Sequence, residues 1–136
     1  MEFPNRQERQ HLLFMSAAEK IKSLGYEVYA SVLKNETIDK AHYGYFVKDN
    51  RIGYFQADML GFVIEFTTVY KPSAKHGCGE KIEENYSPEH ITDSLLQYVI
   101  TPEFGFYNGE FRSKHNLYDS FDEYMQKNNW CKYIKI

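Results

Sequence analysis

Residues 40–72 read KAHYGYFVKDN, RIGYFQADM and LGFVIEFTTVYKP, and this stretch decides the fold. It holds three runs rich in aromatic and β-branched residues, separated by Asp49-Asn50 and by Asp58, which are typical turn residues. The pattern predicts three consecutive antiparallel strands joined by tight turns, a β-meander. In the third run both faces are largely apolar, so we expect that strand to be central in its sheet.

Three glycines lie within or at the edge of these runs: Gly44, Gly53 and Gly61. Glycine weakens strand pairing, and inside a strand it often marks a bulge or the close approach of another backbone. We therefore expect a curved sheet that wraps around a helix.

That helix is predicted directly upstream, over residues 6–24. Asn5 and Glu8 form a capping box at its start, and Gly25 stands where a C-cap glycine belongs. The apolar residues between them recur at helical spacing, and we expect this stripe to pack on the sheet. The stripe consists of Leu13, Phe14, Ala17, Ala18, Ile21 and Leu24.

Further elements flank the meander. Residues 26–33 alternate loosely and predict a first strand, followed by a polar turn over 35–39. Near the end of the chain, residues 130–136 alternate apolar and basic positions, which predicts a last strand. Ser87-Pro88-Glu89 is typical of a helix start, and Thr101-Pro102 would end that helix. Its expected buried stripe is Ile91, Leu95, Tyr98 and Val99.

A capping box formed by Ser120 and Glu123 predicts one more short helix, ending near Lys127. Residues 103–117 are aromatic but aperiodic, and both a hairpin and an ordered loop remain open for them. The length of 136 residues fits a single domain. We expect an α+β domain: a twisted antiparallel sheet of four to five strands, with the long N-terminal helix on one face and shorter C-terminal helices at the edges.

Composition narrows the class of protein. The chain is 43% hydrophobic and 26% charged, as globular domains are. Basic and acidic residues are balanced, 8 against 9 in residues 1–70 and 8 against 10 in 71–136, which disfavours a polyanionic partner. Aromatic residues make up 17% and include twelve tyrosines. Tyrosine can be half-buried with its hydroxyl in water, so we expect several at the surface, where they can serve a binding face.

Two features predict the compartment. Cys78 and Cys131 are the only cysteines, too few for the disulfide framework of a secreted domain, and the polar start MEFPNRQERQ lacks the apolar region of a signal peptide. No window approaches 18 consecutive apolar residues, so no membrane-spanning segment is predicted. We expect a soluble, cytoplasmic protein with no membrane partner and no cofactor.

The loop SAKHGCGEK, residues 73–81, carries the sharpest local chemistry. His76 and Cys78 lie two positions apart on glycine-flanked backbone, which allows a Cys/His nucleophile pair, or half of a metal site completed by His115 or Cys131. A lone His-x-Cys is neither a zinc-ligand spacing nor a protease signature. We therefore expect a surface loop, no metal and no catalytic residue, and keep a small Cys/His-dependent enzyme as the second alternative.

Nucleic-acid binding is the first alternative. It would use the basic loops 71–81 and 111–115, because sites for single strands combine basic and aromatic side chains. The candidate residues are Lys71, Lys75, Lys81 and Lys114. Acidic residues follow the first loop directly, so a phosphate backbone would meet mixed charge there.

A protein-binding site is the preferred hypothesis. Aromatic residues crowd the aperiodic run after residue 103, and interface energy concentrates in a few tyrosine, tryptophan and arginine side chains. The candidates are Tyr70, Phe106, Tyr107, Phe111 and Arg112. The competing interpretation is that these rings close one end of the sheet. We expect a non-enzymatic module that occupies a partner's surface, and a homodimer is left open.

The passage from Gly53-Tyr54-Phe55-Gln56 through TTVYKP, residues 67–72, to Gly77-Cys78-Gly79 resembles a pattern in small uncharacterised accessory proteins of phages and plasmids. In those proteins a strand ends in Thr-Val-His-Lys-Pro, and Gly-Thr-Gly follows within several residues. The resemblance covers residues 50–79 and departs from the pattern at Tyr70 and Cys78, which replace His and Thr. It implies a mobile-element origin and an accessory or anti-defence factor that inhibits a host or defence-system protein.

Overall fold

The computed structural model describes residues 5–49, 51–58, 61–68, 86–100 and 131–136. They form an α+β fold, in which an N-terminal helix and a second, short helix accompany a five-stranded antiparallel sheet. The helices are α1, Arg6–Ser23, and α2, Asp93–Val99; the strands are β1, Glu27–Leu33, β2, Tyr43–Lys48, β3, Arg51–Ala57, β4, Ile64–Thr68, and β5, Cys131–Lys135. Short 3-10 helices lie at Ile38–Lys40 and Pro88–His90.

The sheet has the strand order β4-β3-β2-β1-β5. The predicted meander is confirmed and forms β2, β3 and β4. Asp49 has a φ of 52° after β2, a left-handed conformation that aspartate adopts more readily than most residues, so the chain can turn tightly there. The predicted last strand is also confirmed, because β5 pairs with β1.

The expectation that the third strand of the meander is central is wrong. Among the described residues β4 lies at one edge of the sheet, with β3 on one side and an isolated bridge between Ile64 and Tyr86 on the other. Ile64 and Phe66 are fully buried because they face the core, whereas Phe62 precedes the strand and is exposed. The last strand joins beside β1, so β1, β2 and β3 take the interior positions.

Helix α1 packs on one face of the sheet through the stripe predicted from the sequence. Its buried residues Phe14, Ala17, Ala18 and Ile21 join one apolar cluster with inward-facing residues of the strands. The rings of Phe14 and Phe55 stack with 4.8 Å between their centroids. Burying a phenylalanine side chain contributes about 1.5–3 kcal/mol, so this layer holds α1 on the sheet.

Two of the three glycines noted in the sequence make room for aromatic rings. A Cβ on Gly44 would collide with the carbonyl oxygen of Tyr29 and lie 2.9 Å from the Phe14 ring, and a Cβ on Gly53 would collide with the Phe46 ring. The register of β2 and β3 runs without interruption through both positions, so neither glycine marks a bulge. The expected close approach is therefore confirmed, and at Gly53 a ring makes it instead of a backbone.

Both ends of α1 lie where predicted, but the capping box is only half formed, because Glu8 Oε1 accepts from the Asn5 side-chain amide at 3.2 Å and not from the Asn5 backbone amide. Asn5 Oδ1 accepts a hydrogen bond from the Glu8 amide at 2.8 Å, which satisfies one of the free donors at the helix start. At the other end Gly25 has a φ of 100°, the left-handed conformation that commonly follows a helix, and its amide donates to the Lys22 carbonyl at 3.0 Å.

The second helix begins later than predicted. Pro88–His90 forms a separate 3-10 turn, in which the Ser87 hydroxyl lies 2.7 Å from His90 Nδ1 and caps no helix amide. The chain then extends, and Thr92 Oγ1 caps α2 by accepting from the Leu95 amide at 3.2 Å. Tyr98, which the sequence placed in the buried stripe, is 77% exposed. The fully buried residues of α2 are Leu96 and Val99.

No helix in the described ranges is long and apolar enough to cross a membrane. The predicted helix at 120–127, the aromatic run 103–117 and the loop 73–81 lie outside those ranges, so these predictions stand as made.

Candidate functional site

Apart from Cys131, which is the first residue of β5, the residues that the sequence singles out for function lie outside the part of the chain that the structure describes. They are the protein-binding candidates Tyr70, Phe106, Tyr107, Phe111 and Arg112, the lysines Lys71, Lys75, Lys81 and Lys114, and the pair His76 and Cys78. Their roles stay predictions. The described residues gather aromatic and charged side chains at two other places.

The first place is the face of the sheet opposite α1, which we call the tyrosine face. Side chains alternate along a strand, so the residues between the core positions point to this side. Five tyrosines from four strands share it: Tyr29, Tyr43, Tyr45, Tyr54 and Tyr133. The centroids of Tyr29 and Tyr133 lie 5.5 Å apart, and those of Tyr45 and Tyr54 lie 5.6 Å apart.

The tyrosine face is a packed layer. Ile52 and Ser31 point to this side, yet they are only 0% and 2% exposed. The five tyrosines are partly buried and make contacts beyond these ring pairs. Both ring pairs meet at 69°, edge to face, whereas base stacking requires an open ring face. This geometry favours a structural role for the face over nucleic-acid binding.

The second place is the turn between β3 and β4, where it meets the N-terminal half of α1. Asp58 Oδ1 accepts from the Gly61 amide at 2.6 Å and from the Phe62 amide at 3.0 Å, which closes the turn. Gly61 has a φ of 75°, and a Cβ there would lie 3.1 Å from Arg9 Cβ and 3.2 Å from the Gln10 nitrogen. Glycine is needed here because of the left-handed φ and because of the close contact with α1. The turn therefore packs directly against the helix.

This arrangement places Phe62 beside Arg9. The guanidinium carbon of Arg9 lies 5.2 Å from the centroid of the Phe62 ring, within the range of a cation–π interaction. Phe62 is 60% exposed, and Leu12, three positions after Arg9 on α1, is 57% exposed. We call these three residues the Arg9–Phe62 patch. Aromatic side chains and arginine are enriched at protein interfaces, so the composition of the patch is typical of a binding surface.

The charge of Arg9 is not neutralised within the described part of the chain. No carboxylate there forms an ion pair with its guanidinium, and its Nε is buried without a hydrogen-bond partner. In the adjoining turn the Asp58 carboxylate accepts from the Gly61 and Phe62 amides. An arginine without an ion pair keeps its terminal nitrogens as charged donors, so the patch would gain from a carboxylate that another molecule supplies.

A pocket of about 300 Å³ borders the patch at Leu12. Its lining includes Glu8, His11, Asp39 and Lys40, so both charges are present. His11 Nδ1 lies 2.8 Å from the Ala41 carbonyl oxygen; this nitrogen therefore carries the proton of the neutral ring. A hydrogen bond from the Thr37 hydroxyl holds the pKa of Asp39 below its usual value. The pocket forms a polar margin of the patch.

A hydrogen-bonded network ties α2 to the sheet. The Tyr26 hydroxyl donates to Asp93 Oδ1 at 2.8 Å and accepts from Gln97 Nε2 at 2.6 Å, while Arg51 Nη2 donates to Gln97 Oε1 at 2.7 Å. Burial raises the pKa of Tyr26 to about 12, and the hydrogen bond to Asp93 adds to the shift. The hydroxyl therefore stays protonated at neutral pH. Its hydrogen bonds to Asp93 and Gln97 hold α2 against the sheet.

Metal-ligating side chains are dispersed in the described segments. No group of three or more His, Cys, Asp or Glu residues among them is placed to hold a metal ion. Within these segments the Arg9–Phe62 patch offers a guanidinium for a salt bridge and apolar side chains for packing.

Sequence reasoning missed both main residues of the patch. Alternation along the third run of the meander, residues 60–72, includes Phe62 in that strand, whereas the spacing of Asp58 and Gly61 is typical of a turn and places Phe62 before the strand. No comparable signal marks Arg9, because its neighbours come from a distant turn of the chain.

No protein-family model matches the chain, and no solved structure matches it significantly. Among curated proteins, the chain is similar to the E3 ubiquitin-protein ligase SINA-like 3 of Arabidopsis thaliana, with 31% identity over 86 residues. The similar segment is 60% of this chain and 27% of the ligase, so the chain spans about a quarter of the length of the curated relative it matches.

Proposed function

We propose that this chain is a protein-binding module that acts by occupying the surface of a partner protein, and that the Arg9–Phe62 patch is its contact surface. The observation that carries the proposal is the exposed Phe62 ring beside an arginine whose charge no described carboxylate neutralises. The turn packs against α1 at Gly61, so these side chains are held in position before a partner arrives. Binding would therefore lose little conformational entropy.

We also propose a class of partner. The resemblance of residues 50–79 to accessory proteins of phages and plasmids supports a host or defence-system protein, met in the cytoplasm. In this role the chain inhibits its partner by occupation and uses no catalytic residue or cofactor.

Capture from a host lysate tests this proposal with the wild-type chain and two variants. Phe62→Ser removes the exposed ring of the patch, and Tyr98→Ser is the matched control, because Tyr98 is also an exposed aromatic residue but lies on α2. We expect Phe62→Ser to weaken capture at least tenfold, about 1.4 kcal/mol, and Tyr98→Ser to retain it. Nuclease added to half of each sample separates a protein partner from a nucleic acid. Equal capture by both variants would remove the patch as the contact surface.

The aromatic run predicted from the sequence is tested in the same assay. If Tyr107 and Arg112 contribute to binding, Tyr107→Ala and Arg112→Ala weaken capture while the melting temperature stays unchanged. A loss confined to these two variants, with Phe62→Ser still bound, would move the contact surface to the aromatic run.

The similarity to part of an E3 ubiquitin-protein ligase supports a second candidate, a role in ubiquitin ligation. Protein binding is compatible with it, since a ligase must hold the protein that it modifies. Incubation of the purified chain with ubiquitin, an activating enzyme and a panel of conjugating enzymes tests this candidate. Ubiquitin transfer that depends on the chain would support ligation, and no transfer with any conjugating enzyme would remove this candidate.

The Cys/His alternative makes its own prediction at Cys78. An activated nucleophile would be a thiolate near neutral pH and would react with iodoacetamide faster than a free thiol. We expect ordinary reactivity, with an apparent pKa near the usual value of about 8.5. A much lower pKa, or stoichiometric zinc in the purified protein, would favour the enzyme or a metal site.

A further inference from the structure

We infer that the Arg9–Phe62 patch recognises a short segment of the partner protein in which an acidic side chain lies close to an apolar one. This inference rests on the function proposed above, because it names the partner chemistry for the same surface. The acidic group pairs with the Arg9 guanidinium, and the apolar group packs on Phe62 and Leu12.

The acidic requirement follows from the state of Arg9. Its guanidinium is charged at any physiological pH and presents donors in a planar fork that matches a carboxylate. Phe62 contacts this group, and no carboxylate of the described segments pairs with it. Because Nε is buried, the two terminal nitrogens are the donors left for a partner.

The apolar requirement follows from exposure. Phe62 and Leu12 keep more than half of their surface in water, and both lie beside Arg9, Phe62 through its ring and Leu12 through its position on α1. Arg9 and Leu12 are three positions apart on α1, so about 5–6 Å separates their Cβ atoms. One short segment of a partner can therefore place its acidic residue on Arg9 and its apolar residue on Leu12 and Phe62.

A nucleic-acid phosphate fits the guanidinium but not its surroundings. Glu8 lies between Arg6 and Arg9 along α1, so the start of the helix carries both charges and offers no continuous basic stripe. Affinity for a polyanion requires several cations along its backbone, and the net charge of the chain is −3. A single protein carboxylate suits one unpaired arginine between apolar side chains.

Selection from a library of random dodecapeptides, displayed on phage and captured on the immobilised chain, tests the inference. We expect the enriched peptides to carry Asp or Glu within about three residues of a large apolar residue. A synthetic peptide from this set should bind Arg9→Gln at least about tenfold more weakly than wild type. Lys22→Gln, the matched control with the same charge change in the last turn of α1, should bind as wild type does.

Exchange of the peptide's acidic residue for its amide completes a double-mutant cycle. The exchange should weaken binding to the wild type as strongly as Arg9→Gln does, and should have little further effect on Arg9→Gln. Arg9→Lys keeps the charge without the planar fork and should recover part of the affinity. Melting curves of the variants establish that each one is folded.

Three outcomes would overturn the inference: enriched peptides without acidic residues, equal binding by Arg9→Gln, or no peptide above background. They are distinguishable from failure of the proposed function through Phe62→Ser. If capture from a lysate depends on Phe62 while the acidic residue has no effect, the chain is a binding module with another specificity. If capture is independent of Phe62, the proposed function itself fails.

Discussion

Gly53 on β3 lies directly opposite Phe46 on β2, and the Phe46 ring occupies the space that a Cβ on Gly53 would need. The same ring meets Tyr26 and Phe66 edge to face, with centroids 5.8 and 6.1 Å away. Phe46 is fully buried, so it cannot move aside without disturbing the core. The glycine is therefore required by packing across the sheet.

Gly53→Ala should destabilise the protein by about 1–3 kcal/mol, because the added methyl group overpacks the core against Phe46. Chemical denaturation measures the free energy of unfolding. In the double variant with Phe46→Leu the loss should be smaller than the sum of the two single losses, since leucine leaves more room. A neutral or stabilising Gly53→Ala would mean that this ring does not lie over Gly53.

Ile21→Ala should cost about 2–5 kcal/mol, since Ile21 is fully buried against the sheet and its truncation leaves a cavity. Leu12→Ala on the same helix is the matched control and should change the free energy of unfolding by less than about 0.5 kcal/mol, because Leu12 is exposed. Losses of similar size in the two variants would contradict the orientation of α1.

Thr92→Ala should cost about 0.5–2 kcal/mol, because it removes the side-chain cap from the Leu95 amide at the start of α2. Ser87→Ala should cost less, since the Ser87 hydroxyl caps no helix amide. Urea denaturation of both variants gives the order. A larger loss for Ser87→Ala would restore the helix start that the sequence predicts.

Tyr26→Phe should change how stability depends on alkaline pH. The pKa of Tyr26 is raised to about 12 in the folded protein, and an unfolded tyrosine titrates near pH 10. The folded state therefore holds this proton more tightly, so its contribution is fully present below about pH 10 and is lost as the pH rises through about 12.

The measurement is the free energy of unfolding of wild type and Tyr26→Phe across this range, with the other tyrosines common to both. We expect a constant difference up to about pH 9 and, above pH 10, a change that favours Tyr26→Phe. Curves that stay parallel through about pH 12 would show that burial does not perturb this hydroxyl.

Short sequence patterns predicted the features that depend on residues close together in the chain. The cap at Asn5 depends on an amide three residues away, and the left-handed backbone at Asp49 is a conformation that this residue type adopts more readily than most. The start of α2 was predicted wrongly for a related reason: Ser87-Pro88 and Thr92 both suit a helix start, and the 3-10 turn between them decides which one caps the helix.

The candidate site could not be predicted to the same extent. Arg9 and Phe62 are brought together because the turn at Gly61 packs against α1. This contact joins two distant segments of the chain, so no short-range sequence pattern predicts it. The candidates taken from the sequence, such as Tyr107 and Arg112, lie outside the described residues and stay predictions.

The sequence by itself determined the buried stripe of α1, the turns of the meander and the alternation of its strands, because helices and strands repeat with fixed periods that a core must match. Tertiary structure alone decided that β4 is an edge strand, that five tyrosines from four strands share one face, and that Phe62 lies beside Arg9. The physical reason is that strand order and the packing of the helix depend on contacts between residues distant along the chain. Periodicity predicts the face on which a residue lies, but it does not predict which residue of another element will be its neighbour.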